Sequence, residues 1–298
     1  METGYLAPEG FLPDLLEELG GAGEIHDRLV LVPGPPRPAA WAQNVWYEVK
    51  RLPIASVGDA ARQLKAIQRN WAAYSWILHR RARLIQDKLP HVSAKPLVFP
   101  CAAPTAPLGS WTLLDEGTLL AAARCSSPFV NGEPVFVEDR SGPPNRAYLK
   151  LWEALTLMGG RPPGPGDLCL DLGSSPGGWT WVLAKLGARV VSLDKAPLDP
   201  AVAALPGVEY RRESAFALDP LALGPVDWLC CDVVCYPERL LGLVRRWLAA
   251  GTARRFVCTL KFQGATDHAV AREFAALPNS RLLHLAHNKH ELTWMMEE

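Results

Sequence analysis

Net charge and long apolar runs are what this sequence lacks. Lys+Arg and Asp+Glu each number 31, so the formal net charge is zero. No global basic field advertises a nucleic acid, and any such partner has to be held by a local patch. No run of 18 apolar residues occurs, which predicts no transmembrane helix and no membrane partner. The N-terminus, METGYLAPEGFLPDLLEEL, is acidic and has no basic stretch ahead of an apolar one. The expectation is a chain without a secretory leader. C-x-x-C pairs are also missing. The seven cysteines, at 101, 125, 169, 230, 231, 235 and 258, are odd in number and mostly flank apolar residues. That pattern fits reduced, buried thiols in a cytoplasmic protein and argues against a disulfide framework or a metal site. What remains is ordinary: 49% hydrophobic and 21% charged residues over 298 positions. Wholesale disorder is excluded, and the length predicts about two domains.

Pro and Gly punctuate the chain at Pro33–Pro38, Ser141–Pro144 and Arg161–Gly166. Each reads as a turn or stiff linker. A domain boundary is expected near Ser141, giving 1–140 as a smaller α+β domain and 141–298 as the second. Residues 60–89 lack Pro and Gly, and Leu64, Ile67, Trp71, Tyr74, Ile77 and Leu78 recur at three- and four-residue steps, which predicts one helix. Strands are expected at 97–99, 111–114, 118–122 and 135–137. Beyond 145 the elements alternate. A helix over 146–158 capped by Asn145 precedes a strand at 168–172, and further strands and helices follow to 296. Alternation of this kind predicts a doubly wound, mostly parallel sheet.

The sharpest local signal is Leu168-Cys-Leu-Asp-Leu-Gly-Ser-Ser-Pro-Gly-Gly-Trp179. An apolar strand runs into Asp171, then a glycine-rich turn, then a helix. Glycine there supplies positive φ and lets backbone approach a ligand. The spacing is not G-x-G-x-x-G. The segment resembles motif I of methyltransferases that use S-adenosyl-L-methionine. That resemblance implies that Gly173 passes beneath the cofactor and that Asp171 faces its amino group directly or through water. It also implies that Ser175, Pro176, Gly177, Gly178 and Trp179 build the turn around it. Asp194 ends the next strand, where a carboxylate can accept from both ribose hydroxyls. Ser214 stands where relatives carry the Asp that meets the adenine amino group.

The P-G-G-W form of the turn is similar to that of the FtsJ-like (RrmJ-type) ribose 2′-O-methyltransferases, which carry Lys-Asp-Lys-Glu in chain order. Here Lys150 lies on the helix before the turn. Asp232 ends the strand Trp228–Asp232, Lys261 ends Phe256–Lys261, and Glu291 opens the last strand. A 2′-hydroxyl is a poor nucleophile and must lose its proton as it attacks. A free lysine, with a pKa of about 10.4, is neutral in only about one molecule in 10³ at pH 7, so its surroundings matter. The resemblance implies Lys261 as the base, Asp232 and Lys150 holding and polarising it, and Glu291 orienting the group. Asp232 is also expected to touch the cofactor. The implied fold is a Rossmann-like methyltransferase sheet with its last strand antiparallel.

Within that family the chain is most similar to the M-type methyltransferases of large-subunit ribosomal RNA. The matching features are Ser127-Pro-Phe129, the lysine helix Asn145–Glu153, and His287-Asn-Lys-His-Glu-Leu-Thr293. The implied partner is ribosomal RNA, and the implied activity is ribose 2′-O-methylation. The segment 60–89 is cationic and aromatic. Arg62, Lys65, Arg69 and Trp71 are its candidates for phosphate contact and base stacking. Two other readings stay open: a methyltransferase acting on a different acceptor, and a non-catalytic RNA-binding protein that retains the fold.

Overall fold

In the computed structural model, which describes residues 1–297, the chain divides into two units. The first contains Met1–Leu97 and Ala103–Val135. The second contains Val98–Ala102 and everything from Phe136 onward. The crossing at 135/136 lies a little before the expected 140/141, and the short Val98–Ala102 segment was not anticipated. Its attachment is aromatic: the Phe99 ring stacks on Trp152 at 4.9 Å. Such long-range burial leaves no local turn signal.

The first unit begins with β1 (Glu2–Leu6), α1 (Leu12–Glu18), β2 (Glu24–His26), β3 (Leu29–Pro33) and β4 (Asn44–Tyr47). It continues with β5 (Lys50–Pro53), α2 (Val57–Ile67), β6 (Trp71–Ala73), α3 (His79–Gln86), β7 (Gly109–Leu113), β8 (Thr118–Ala122) and β9 (Arg124–Cys125). Among the described residues it holds two sheets, ordered β2-β3-β1-β4-β9 and β5-β8-β7-β6. Leu64, Trp71, Ile85, Trp111 and Leu119 form the core between α2, α3 and the second sheet.

The single helix expected over 60–89 is corrected here to helix, strand, helix. Ser56 caps α2, its hydroxyl accepting from the Asp59 amide. Gln68 is already extended, and Trp71 enters β6, paired in parallel with β7. The Trp71 indole donates to the carbonyls of Leu64 and Gln68, both at 3.0 Å. The apolar spacing reports burial correctly, but burial is achieved by a strand in a sheet. A fully buried indole with a satisfied N–H outweighs helix propensity, which is a weak prior.

The second unit runs α4 (Tyr148–Met158), β10 (Leu168–Leu172), α5 (Gly178–Lys185), β11 (Arg189–Leu193), α6 (Pro200–Ala203) and β12 (Val208–Arg211). Then come α7 (Pro220–Leu223), β13 (Val226–Cys231), α8 (Pro237–Ala250), β14 (Ala253–Lys261), α9 (His268–Ala275), β15 (Ser280–Leu283) and β16 (Glu291–Glu297). Their sheet has the order β12-β11-β10-β13-β14-β16-β15. All pairings are parallel except those of β16, which is antiparallel to β14 and β15. This is the expected Rossmann-like, doubly wound sheet with its last strand reversed. Its central strands read as near-continuous apolar runs because helices cover both faces. Strand order reverses at β10, so the carboxyl ends of β10, β11, β13 and β14 meet at a switch point, where such sheets hold ligands.

Candidate active site

The turn after β10 is fixed by backbone. Gly173 has φ +75°, and a Cβ there would lie 2.5 Å from the Val233 Cα. The Gly173 and Ser174 amides donate to the Leu193 carbonyl at 2.9 and 3.2 Å. The close approach lets the ends of β10, β11 and β13 surround one cavity of ≈ 470 Å³. Asn145, Gly173, Ser175, Asp194, Ser214, Asp232 and Lys261 line it. That volume suits a nucleoside-sized ligand, within the ~300–1,000 Å³ usual for small-molecule sites.

Asp194 faces the cavity from the end of β11. Its two oxygens accept from the Ser175 amide at 3.0 Å and the Ala196 amide at 2.9 Å. Each oxygen keeps a second lone pair, so the held carboxylate can still accept from two hydroxyls. Asp171 departs from expectation. It is fully buried and is not part of the cavity wall. One oxygen accepts from the Thr180 hydroxyl at 2.6 Å, and Thr180 also meets the Ser192 hydroxyl at 2.8 Å. Burial pushes its carboxyl up to about 7, against the downward pull of Thr180. With Thr180 and Ser192 it forms a strut joining β10, β11 and α5, and its other oxygen has no protein partner among the described residues. Pro176, Gly177, Gly178 and Trp179 likewise shape the turn from behind. A Cβ on Gly177 would lie 2.9 Å from Val202, and the Trp179 indole donates to the Ala147 carbonyl at 2.9 Å.

Four residues distant in sequence converge at one end of the cavity. Lys150 Nζ on α4 lies 2.9 Å from Asp232 Oδ1 and 2.9 Å from Glu291 Oε1. Lys261 Nζ lies 3.1 Å from the same Asp232 oxygen and donates to the Asp232 carbonyl at 2.6 Å. Lys150 and Glu291 are buried, whereas Lys261 and Asp232 reach the cavity. Desolvation alone would lower the Lys150 pKa, but the two carboxylates outweigh it and the pKa is raised. Lys150 thus holds its proton firmly. The two lysines are chemically unequal: one is locked between two carboxylates, and the other touches one and opens to the ligand.

Several cavity residues escaped the expectations from sequence, Asn145 and Arg239 among them. Asn145 was expected only as a cap. The helix instead starts at Tyr148 with Ala147 in the N-cap position, and Asn145 accepts from the Ala147 amide at 3.0 Å and lines the cavity. Arg239, in the first turn of α8, lies over the Phe216 ring at 3.8 Å and closes the Ser214 end. No local pattern marks it, because the contact exists only once the loop after β12 meets α8.

On the first unit, Arg62, Lys65 and Arg69 are exposed, and Arg62 is paired with Asp59. Trp71 is corrected from a candidate base platform to a core residue, 1% exposed. Tyr74 is also buried, its hydroxyl bonded to Asp27.

Residues 143–266 match the FtsJ-like methyltransferase family. That stretch lies within the second unit. The ribosomal RNA large subunit methyltransferase M of Halorhodospira halophila is 44% identical over 120 residues, 40% of this chain and 35% of that protein. The protein of the same name from Methylococcus capsulatus is 34% identical over 186 residues, 58% of this chain and 52% of the relative. That from Alkalilimnicola ehrlichii is 36% identical over 186 residues, 58% and 51% of the two chains. The chain thus spans about half the length, or less, of these relatives. No helix among the described residues is long and apolar enough to cross a membrane.

Proposed function

We propose that this protein is a cytoplasmic RNA ribose 2′-O-methyltransferase that uses S-adenosyl-L-methionine and acts on large-subunit ribosomal RNA. The observation that carries this reading is the Lys150–Asp232–Lys261–Glu291 cluster, whose Asp232 and Lys261 line the same cavity as Asp194. A donor ribose and an acceptor hydroxyl would then be served from two ends of one site.

S-adenosyl-L-methionine supplies the sulfonium methyl. Asp194 would accept from its ribose hydroxyls, and the Gly173 turn would let backbone lie against it. Ser214, with Phe216 and Arg239 beside it, bounds the adenine end as a neutral partner. At the other end, Lys261 in its neutral form would take the 2′-proton from the acceptor hydroxyl, while the bound donor would give up its methyl to that oxygen and its sulfur would keep the C–S bonding pair. Lys150 stays charged between Asp232 and Glu291, so the cluster keeps a fixed cation while Lys261 cycles its proton. Asp232 holds both ammonium groups through one oxygen and aims Lys261 at the cavity.

The first unit is proposed as the RNA-binding part, through the exposed cations of α2 and its C-terminal end. The test is mass mapping of ribosomal RNA from a strain lacking the gene. A single missing ribose methylation, restored by the wild-type gene and not by Lys261→Ala, is expected. An unchanged methylation map would overturn the reading. Calorimetry that detects no binding at millimolar S-adenosyl-L-methionine would favour a non-catalytic RNA-binding protein instead.

A further inference from the structure

Glu153 is a buried acid with no place in the chemistry above. It lies on α4, one turn after Lys150, and is 2% exposed. Residues three apart on a helix share a face, so the two side chains leave α4 together. Both oxygens of Glu153 face the Ala286 amide, at 3.1 and 3.0 Å, and the His287 amide also donates to it. Those amides belong to the connection from β15 to β16, where Ala286 is exposed and His287 half-buried, so the buried Glu153 ties a partly solvent-facing turn to α4.

The same connection is tied internally. His284 Nε2 meets the Lys289 carbonyl at 3.1 Å. Asn288 and Thr293 exchange side-chain hydrogen bonds at 3.1 and 3.2 Å. The Glu291 amide donates to the Lys289 carbonyl at 2.8 Å. The segment then ends at Glu291, whose carboxylate grips Lys150. One helix therefore holds the segment at both ends, through Glu153 at Ala286 and His287 and through Lys150 at Glu291.

The geometry points to Glu153 as a positioning residue: it anchors the 286–291 turn so that Glu291 meets Lys150 in register, and through that pair it sets the cation beside Lys261. The inference rests on the methyltransferase reading for its effect on rate, while the anchoring itself does not. Removing the anchor frees Glu291 to shift, and Lys150 then loses one of its two carboxylates. The cofactor cavity, which Glu153 does not line, is untouched.

The test uses the full chain with Glu153→Leu, Glu291→Gln and the double variant; leucine keeps the bulk and has no acceptor. Deproteinised ribosomal RNA from a strain lacking the gene is the acceptor. E153L is expected to bind S-adenosyl-L-methionine within about twofold of wild type and to lose roughly ten- to hundredfold in single-turnover rate at saturating cofactor and RNA. In the E291Q background the same change should cost less than about twofold, because its route is already cut; neighbours acting through one network are non-additive. A purely structural role would lower both backgrounds equally, and that result overturns the inference, as does a wild-type rate in E153L. If E153L does not fold, Glu153→Asp, which draws the acceptor back by one methylene, enters the same cycle. Hydrogen exchange gives a readout that needs no acceptor. Faster exchange at 286–291 in the variant, with α5 unchanged, supports the anchor even if the wild-type protein methylates no RNA, a result that would sink only the proposed function. Unchanged exchange there overturns the anchor whatever the enzyme does.

Discussion

At the scale of single residues, the site separates groups that bind from groups that react. Lys261→Ala is expected to abolish methyl transfer while cofactor affinity stays within a few-fold, because Lys261 serves the acceptor end; near-normal turnover would refute its role. Asp194→Ala should do the reverse. Losing a partner to two hydroxyls costs on the order of 1.5–3 kcal/mol, about ten- to hundredfold in Kd, and calorimetry showing unchanged affinity would contradict the placement. Asp171 carries a pH signature. Its carboxyl sits near the usual value when unfolded and is pushed up to about 7 by burial in the fold. The folded state therefore holds a proton that the unfolded chain has given up. Its stabilising contribution is complete below about pH 4 and is lost as pH climbs to about 7, with a slope of up to ~1.4 kcal/mol per pH unit. The ligand-free wild type should lose thermal stability over that range relative to Asp171→Asn. Parallel pH profiles of the two would refute a buried, proton-holding Asp171. The motif marked Asp171 correctly as important, yet only its 2.6 Å bond from Thr180 and its burial reveal that it braces the turn from within.

At the scale of elements, the junction of β10 with α5 is the most constrained point of the second unit. Gly173→Ala places a Cβ 2.5 Å from the Val233 backbone at φ +75°. Left-handed strain alone costs ~1–3 kcal/mol, and the contact must push back the chain that follows Asp232. Both cofactor affinity and methyl transfer should fall together with the thermal midpoint; a variant with wild-type values in all three would show that the turn is not tightly packed. This element was legible in the sequence because its requirements are local: an apolar strand, a glycine where φ is positive, and a helix directly after. The stretch 60–89 was not legible for the opposite reason. Trp71 and Tyr74 fall at helical spacing by coincidence of burial, and what decides between helix and strand is β7, more than thirty residues downstream, which offers a parallel edge.

At the scale of the whole molecule, zero net charge coexists with exposed cations on α2 and just beyond it. If these meet phosphate, the full chain should bind RNA with a steep salt dependence. The triple reversal Arg62→Glu, Lys65→Glu, Arg69→Glu should weaken RNA binding at least tenfold in filter or anisotropy assays and leave cofactor affinity unchanged. Normal RNA affinity in that variant would move the RNA surface to the mouth of the cavity. Trp71 no longer enters this expectation, since its ring lies in the core. The sequence by itself determined the alternation that makes a doubly wound sheet and the glycine turn. Lys150, Asp232, Lys261 and Glu291 were legible only through the family resemblance, since each alone reads as an ordinary helix or strand-end charge. Only the tertiary structure decided that Lys150 is locked between Asp232 and Glu291 while Lys261 opens to the cavity. It alone decided, too, that Arg239 closes one wall, that Glu153 reaches the turn before β16, and that residues 98–102 join the second unit. Those outcomes depend on distances between segments tens to more than a hundred residues apart, and no periodicity along the chain encodes such distances.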